Sequence, residues 1–347
     1  IEHSTPYAPF GWDMELNELP NGQKAHIKDA KSYGESCRRA MASAREAGKP
    51  FCILINISDP HKPFYSQVKQ GSDPHVPSRI FGPGGMPVPG FLPEDDAVKK
   101  ELALYYSSVR RADDAVGEVL HALEQSGLAD NTFVFFLSDH GMPLPFAKTQ
   151  LYHHSTRTPL MIRWPGVTKA NSVDSNHMVS AVDFLPTLAE VMGFETPDDL
   201  DGRSFASVIR GELQPDRDVV FKEYNENSGA KRNPMRGIQT KEFLYLFNPW
   251  CDGERVMATA TNGTASWKRM KQLAKANPDV AARVELMEHR VVEELYDVAQ
   301  DPDCLQNLIG DPGYQQIADN LRQRLLKHLR STEDPIAAVF ESRQDAS

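Results

Sequence analysis

Apolar positions recur at three- and four-residue spacing between Asp95 and Leu123, at Leu102, Tyr105, Val109, Ala112, Val116, Leu120 and Leu123. That period predicts an amphipathic helix, which Ser126-Gly127 stops. A second helical stretch is expected over residues near 31–48. A continuous apolar run follows each of these helices. Phe51 to Ile57 and Thr132 to Leu137 read as buried strands, and Leu160 to Trp164, ending at Pro165-Gly166, reads as a third. Strand, connection, helix, strand is the grammar of an α/β fold with a doubly wound mixed sheet between helices, where ligands gather beyond the carboxyl ends of the strands. Asp59-Pro60-His61 and Asp139-His140-Gly141 both stand at such ends, which favours a shared site.

The remaining pattern is less regular. Residues 1–30 are polar and Pro-rich and read as a surface loop, and a long Gly/Pro-rich loop runs from Lys62 to about Pro93. Asp183 is placed to cap a short helix running to Met192, with Gly193 as its stop. After about Leu213 the character changes. Residues 215–250 read as strands with turns at Asn233-Pro234 and Asn248-Pro249, and residues 256–294 as helix with loops. Leu295-Tyr296-Asp297, a turn at Asp301-Pro302-Asp303, and an amphipathic helix with Ile317, Leu321, Leu325 and Leu329 close the chain. The expected division is therefore a main domain over 1–214 and a smaller C-terminal α+β domain over 215–347.

Composition narrows the partners. A net charge of −10 over 347 residues argues against nucleic acid or an anionic membrane as a partner, while a locally basic pocket could still take an anionic small molecule. No run approaches the length of a membrane span, and the first residues, Ile1 to Pro6, lack the basic and apolar regions of a signal peptide. The four cysteines (Cys37, Cys52, Cys251, Cys304) have no zinc spacing. Cys52, inside an apolar run, is expected to be a buried small hydrophobe, and a disulfide between Cys251 and Cys304 is left open.

The residues that carry chemistry cluster around the second strand end. Asp139 and His140, followed by Gly141, can turn toward one divalent cation, and a mostly oxygen-lined site suits Ca²⁺ or Mg²⁺ better than structural Zn²⁺. The alternative is an Asp that only makes a turn, and spacing alone does not choose. Lys148 can bind a tetrahedral anion as a point charge, or can be a solvated loop lysine. His153, His154 and Arg157 could contribute behind it, although Arg157 could equally pair with a scaffold carboxylate. His61 can donate to a leaving-group oxygen or an anion, or can be structural. His3, near a chain end, is the weakest candidate.

Taken together, Asp139-His140-Gly141, Lys148 to Tyr152, Arg157-Thr158-Pro159-Leu160 and Trp164-Pro165-Gly166 resemble, in order and spacing, the sulfatases of the alkaline phosphatase superfamily. Phe51 to His61, the helix around Arg111, Asp113 and Asp114, Val182 to Thr187 with Asp201 to Ser204, and Leu295 to Leu308 fit the same pattern. The run Val88 to Pro93 and the stretch from Pro234 to Asn248 point to the sulfamidase-like (heparan N-sulfatase-like) subgroup. The resemblance implies an alkaline-phosphatase-like fold and hydrolysis of sulfate esters or sulfamates of a sulfated saccharide or small molecule. It also implies a Ca²⁺ ion (Mg²⁺ less so) and a periplasmic or secreted location, and it leaves a homo-oligomer open. It assigns Asp139 and His140 to the metal, Lys148 to the sulfate, His61 to the leaving-group side and His3 to a histidine that assists the nucleophile.

The departures matter as much. The family's formylglycine is matured from a Cys/Ser-x-Pro-Ser-Arg element, and none of the four cysteines fits it. Cys251-Asp252-Gly253-Glu254-Arg255 lacks the Pro, and His75-Val76-Pro77-Ser78-Arg79 has His at the nucleophile position, so both read as chance. The paired N-terminal aspartates of the metal site have no match either. The expectation is that this chain lacks the family's N-terminal segment and is inactive by itself. Two rival readings remain, a phosphodiesterase or phosphonate hydrolase of the same superfamily and a non-catalytic anion-binding protein on this scaffold.

Overall fold

A computed structural model describes residues 11–67, 71–227 and 231–344. The chain forms two compact units, one from residues up to 88 together with 94–132, the other from residues 89–93 together with 133 onward.

The first unit is built on two helices. Helix α1 (Ala30–Glu46) starts where the Asp29 carboxylate accepts the Lys31 N–H, and α2 (Asp96–Gln125) where the Asp95 carboxylate accepts the Ala97 N–H. Gly127, with φ 72°, follows the last turn of α2. The helices pack closely at Gly34, where a Cβ would meet Glu118 atoms at 3.1–3.2 Å. The buried stripe of α2 departs from the apolar one. Leu102 and Leu123 are buried as expected, but Val109 is exposed and the middle of the helix buries Ser107, Ser108 and Arg111 instead. Those serines have partners that pay the desolvation of their hydroxyls: Ser107 Oγ accepts the Phe81 N–H at 3.0 Å and Ser108 Oγ the Tyr65 N–H at 2.7 Å. The helix thus buries a polar face because the long loop needs backbone acceptors.

Phe51 to Ile57 corrects the strand reading. Its burial alternates, with Phe51, Ile53, Ile55 and Ile57 half-buried and Cys52, Leu54 and Asn56 exposed, yet it belongs to no described strand. An apolar run specifies extension and a face to cover, but a ladder needs a neighbour. Cys52 is therefore exposed rather than buried, and all four cysteines are free thiols, so Cys251 and Cys304 form no disulfide.

The second unit opens with a ribbon, β1 (Val134–Leu137) antiparallel to β2 (Leu160–Arg163), with the single turn α3 (His153–Thr156) in between. Helix α4 (Phe184–Met192) ends as expected at Gly193, φ 72°. Asp183, however, does not cap it. Its carboxylate closes a capping box with Ser180 one turn earlier and is buried against Arg217 at 2.8 Å, a partner 34 residues away that no local pattern announces. After α5 (Ala206–Ile209) comes a four-stranded antiparallel sheet in the order β3 (Val220–Tyr224), β4 (Met235–Gln239), β5 (Phe243–Phe247), β6 (Glu293–Asp297). Helices α6 (Ala265–Leu273) and α7 (Pro278–His289) lie between β5 and β6 in the chain, and α8 (Gln315–Ser331) and α9 (Ala337–Gln344) follow. Every strand pairing among the described residues is antiparallel, within an α/β chain of the expected class.

The sheet has two different faces because alternate residues point opposite ways. On one, Ile238, Tyr245, Phe247 and Leu295 pack with Leu321, Leu325 and Leu329 of α8 and Phe340 of α9. Burying each such leucine contributes about 1.5–3 kcal/mol. The other face is mixed, with Leu244 and Leu246 buried beside polar groups. Lys222, Gln239, Glu294 and Tyr296 meet the segment that runs into α3.

Candidate active site

In the first unit the chain turns at Ser58–His61, where the His61 N–H donates to the Ser58 carbonyl at 2.9 Å. Asp59 is buried in that turn and doubly paired. Arg111 grips it through Nε at 2.6 Å and Nη2 at 3.2 Å, and Lys28 Nζ lies at 2.8 Å. Arg111 also reaches Asp73 at 2.9 Å. Burial works to raise the Asp73 carboxyl, but bonds from Arg111 and the His75 N–H hold it below the usual range. Lys28 is pulled down by burial in spite of Asp59. The same Lys28 ammonium donates to the His61 carbonyl at 2.8 Å, so the whole cluster sets the backbone under the imidazole. The exposed His61 ring has Nδ1 2.7 Å from the Lys62 carbonyl, which places a proton on Nδ1 and makes Nε2 a donor only in the imidazolium form.

Two look-alikes of the family's nucleophile element prove structural. Ser78, in the Pro77-Ser78-Arg79 run, bonds Asp114 through its N–H at 2.7 Å and its hydroxyl at 2.6 Å. Cys251 is buried, bonded to the His289 carbonyl, and its thiol is pushed up to about 12 by burial, which leaves no thiolate to react. A cleft of about 710 Å³ in the first unit is lined by Lys28, Lys31, His75, Arg110 and Asp113 among others, and by none of His61, Asp139, His140 or Lys148.

In the second unit Asp139 and His140 are brought together. The Asp139 side chain is 78 % exposed; its Oδ1 accepts the His140 N–H at 2.9 Å, the local turn bond foreseen as the bland alternative. Its Oδ2 lies 3.4 Å from His140 Nε2. His140 Nδ1 is 2.8 Å from the Gly141 carbonyl and therefore carries the proton in the neutral ring, so Nε2 presents a lone pair toward the carboxylate. Two facing acceptors are relieved by a proton or by a cation, and a 3.4 Å spacing suits neighbouring ligands of an ion bound at about 2.4 Å. The pair thus fits one side of a hard-cation site. No group of three or more His, Cys, Asp or Glu suited to a metal occurs among the described residues.

Gly141 is required by packing rather than by a left-handed turn. A Cβ there would stand 1.9 Å from the His154 carbonyl, and the Gly141 N–H donates to the Ser155 carbonyl at 3.0 Å. This contact ties the strand end to α3 and to the intervening segment that holds Lys148.

That segment is no ordinary solvated loop. Leu144, Phe146, Ala147, Leu151 and Tyr152 are buried around the half-buried Lys148. Phe146 (φ 65°) and Thr149 (φ 57°) both adopt the left-handed region on either side of the lysine, a strain that persists only where surroundings over-determine it. The anchors are visible. Arg283 stacks 3.9 Å from the Phe146 ring, Thr149 Oγ1 accepts the Ala260 N–H at 3.3 Å, and the Tyr152 hydroxyl donates to Glu294 at 2.8 Å.

The flanking residues divide. His153 is buried with Nδ1 2.9 Å from Gln239 Nε2, and burial, with Lys222 second, lowers it to about 4; it is a neutral structural ring. His154 Nε2 stands 3.1 Å from Asp303. Arg157 is exposed at the end of α3 and makes no ion pair with a described carboxylate. His3 lies outside the described residues. Sequence reasoning missed Lys28 and Lys222, which reach distant backbone carbonyls, and Gln239 and Arg290, which reach the His153 ring and the Tyr152 hydroxyl. Only the alternation of β3, setting Lys222 opposite Phe221, carried a signal of face.

A family model described as Sulfatase matches residues 20–194, and one described as N-sulphoglucosamine sulphohydrolase, C-terminal, matches residues 139–252. An ulvan-active sulfatase of Formosa agariphila is 30% identical over 251 residues, 71% of this chain and 41% of its own length. The N-sulphoglucosamine sulphohydrolase of Homo sapiens is 28% identical over 317 residues, 83% of this chain and 62% of its own length. The chain thus spans about half the length of the curated relatives it matches. Among solved structures, the phosphonate monoester hydrolase of Agrobacterium radiobacter shares the fold, with a TM-score of 0.60 at 19% identity over 95% of this chain and 68% of that one.

Proposed function

This chain belongs to the sulfatase family, and from that premise we propose that the protein it is part of hydrolyses sulfate esters or sulfamates of a carbohydrate. The observation that supports the reading best is the anchored Lys148 segment behind the paired Asp139 and His140, inside the stretch that matches the N-sulphoglucosamine sulphohydrolase model. In this reading the Lys148 ammonium holds a sulfuryl oxygen and absorbs charge that develops on it, with no reorganisation because its backbone is already fixed. His61, as the imidazolium, delivers a proton from Nε2 to the leaving oxygen or nitrogen while Lys28 and Asp59 keep its backbone in place. Asp139 and His140 would supply two ligands of a divalent cation, expected to be calcium, which adds Lewis-acid stabilisation of the same oxygens when bound. The formylglycine nucleophile of the family has no counterpart among the four cysteines.

The fold alone does not separate this reading from phosphonate hydrolysis, so the test carries both. The full-length protein and its Lys148→Ala variant are assayed on N-sulfated and O-sulfated glucosamine and on an aryl phosphonate. The sulfated sugars are expected to turn over fastest, and Lys148→Ala to lower kcat/KM by about 100-fold. Equal rates for the two proteins would sink the role of Lys148, and a phosphonate preferred over both sugars would sink the substrate class.

A further inference from the structure

The Lys148 segment is held from beneath by an amine that stability alone would not place there. Lys222, in the middle of β3, is half-buried on the face turned toward residues 151–153, and no described carboxylate pairs with it. Its Nζ donates to the Leu151 carbonyl at 3.2 Å and to Gln239 Oε1 on β4. Gln239 passes the contact on through its Nε2, 2.9 Å from the ring of His153. The other titratable group facing the amine is the buried thiol of Cys304. Drawing a lone ammonium out of water is unfavourable, and an apolar side chain of similar length would avoid that penalty. What the amine contributes is therefore its two bonds. One ends on the Leu151 carbonyl and the other reaches His153 through Gln239, directly behind the strained residue Thr149 and the lysine it flanks.

We propose that Lys222 is a positioning residue for Lys148: with Gln239 it fixes the Leu151 carbonyl and the His153 ring, and so sets where the Lys148 ammonium stands. The inference rests on the reading that Lys148 holds the sulfuryl group. It gives the C-terminal sheet a task in the chemistry through backbone placement, without contact with substrate.

The test uses the full-length protein with Lys222→Met, Gln239→Leu, their double variant, and Lys148→Ala as the reference. Inorganic sulfate is the probe, read as its inhibition constant beside kcat and KM, all per folded molecule by circular dichroism. Lys222→Met is expected to weaken sulfate inhibition and lower kcat by about tenfold each, with Gln239→Leu reproducing the direction and the double variant no worse than the stronger single. A merely structural lysine gives a shifted melting temperature with unchanged constants in the folded fraction, and that result overturns the inference. Should Lys222→Met not fold, unchanged constants in Gln239→Leu overturn it equally. If Lys148→Ala itself leaves sulfate inhibition and kcat unchanged, the catalytic reading of the site falls; if only Lys148→Ala has an effect, the positioning inference falls alone.

Discussion

Two Asp-and-His motifs in this chain follow apolar runs and have opposite fates. Asp59, before Pro60-His61, is 2 % exposed at its side chain and clamped by Lys28 and Arg111. Asp139, before His140, is 78 % exposed and, among the described residues, bonded by its own neighbour alone. The first carboxylate is spent on the scaffold, where it neutralises two buried cations and holds the His61 backbone. The second keeps an oxygen lone pair available. The lesson is that burial and partner count, not residue type, divide a carboxylate left open to solvent from a structural anion.

The sharpest way to break this comparison is to neutralise each carboxylate. Asp59→Asn should destabilise the protein by about 3–5 kcal/mol, because Lys28 and Arg111 would remain buried beside a neutral amide. Urea titration measures it, and a loss below about 1 kcal/mol would put Asp59 in the same class as Asp139. Next in size, Gly141→Ala should cost about 3 kcal/mol or more, since its methyl would meet the His154 carbonyl at 1.9 Å. Gly117→Ala, at a position with no atom within 4 Å, is the control and should not destabilise.

A smaller effect separates the faces of the C-terminal sheet. Burial lowers Lys222 to about 7, so the unfolded chain binds the extra proton above that pH and stability rises with pH. Between pH 7 and pH 8, below the ordinary thiol range, the gain is about 1 kcal/mol and should vanish in Lys222→Met. His153 acts with the same sign lower down. Its neutral ring persists to about 4, so its contribution is lost as pH falls from 6.5 toward 4. A flat melting temperature over both windows would show that these groups titrate as they do in water. The smallest stability effect belongs to Asp139→Asn, within about 0.5 kcal/mol of wild type by the same titration. Calcium titration of the full-length protein should nevertheless show weaker binding in that variant.

Legibility in the sequence followed range. Both long helices, the stop at Gly193 and the α8 stripe of Leu321, Leu325 and Leu329 were readable, because caps and periodicity act within a few residues. The site motifs at 59–61 and 139–148 were readable as chemistry but not as geometry. Phe51 to Ile57 reads as a strand and is not one, since a ladder needs a neighbour as well as an apolar run. Asp183 reads as a cap and is instead held by Arg217, and α2 buries Ser107 and Ser108 rather than Val109, because distant backbone made those demands.

By itself the sequence determined the inventory: which residues could bind a cation, an anion or a proton, and the order in which the chain delivers them. Tertiary structure decided their states. It buried Asp59 and left Asp139 in water, drove the Cys251 thiol and Lys222 in opposite directions by desolvation, and strained the backbone around Lys148 by anchoring it on side chains more than seventy residues away. Desolvation and strain depend on everything packed around a group, so neither is written in the group's own neighbours along the chain.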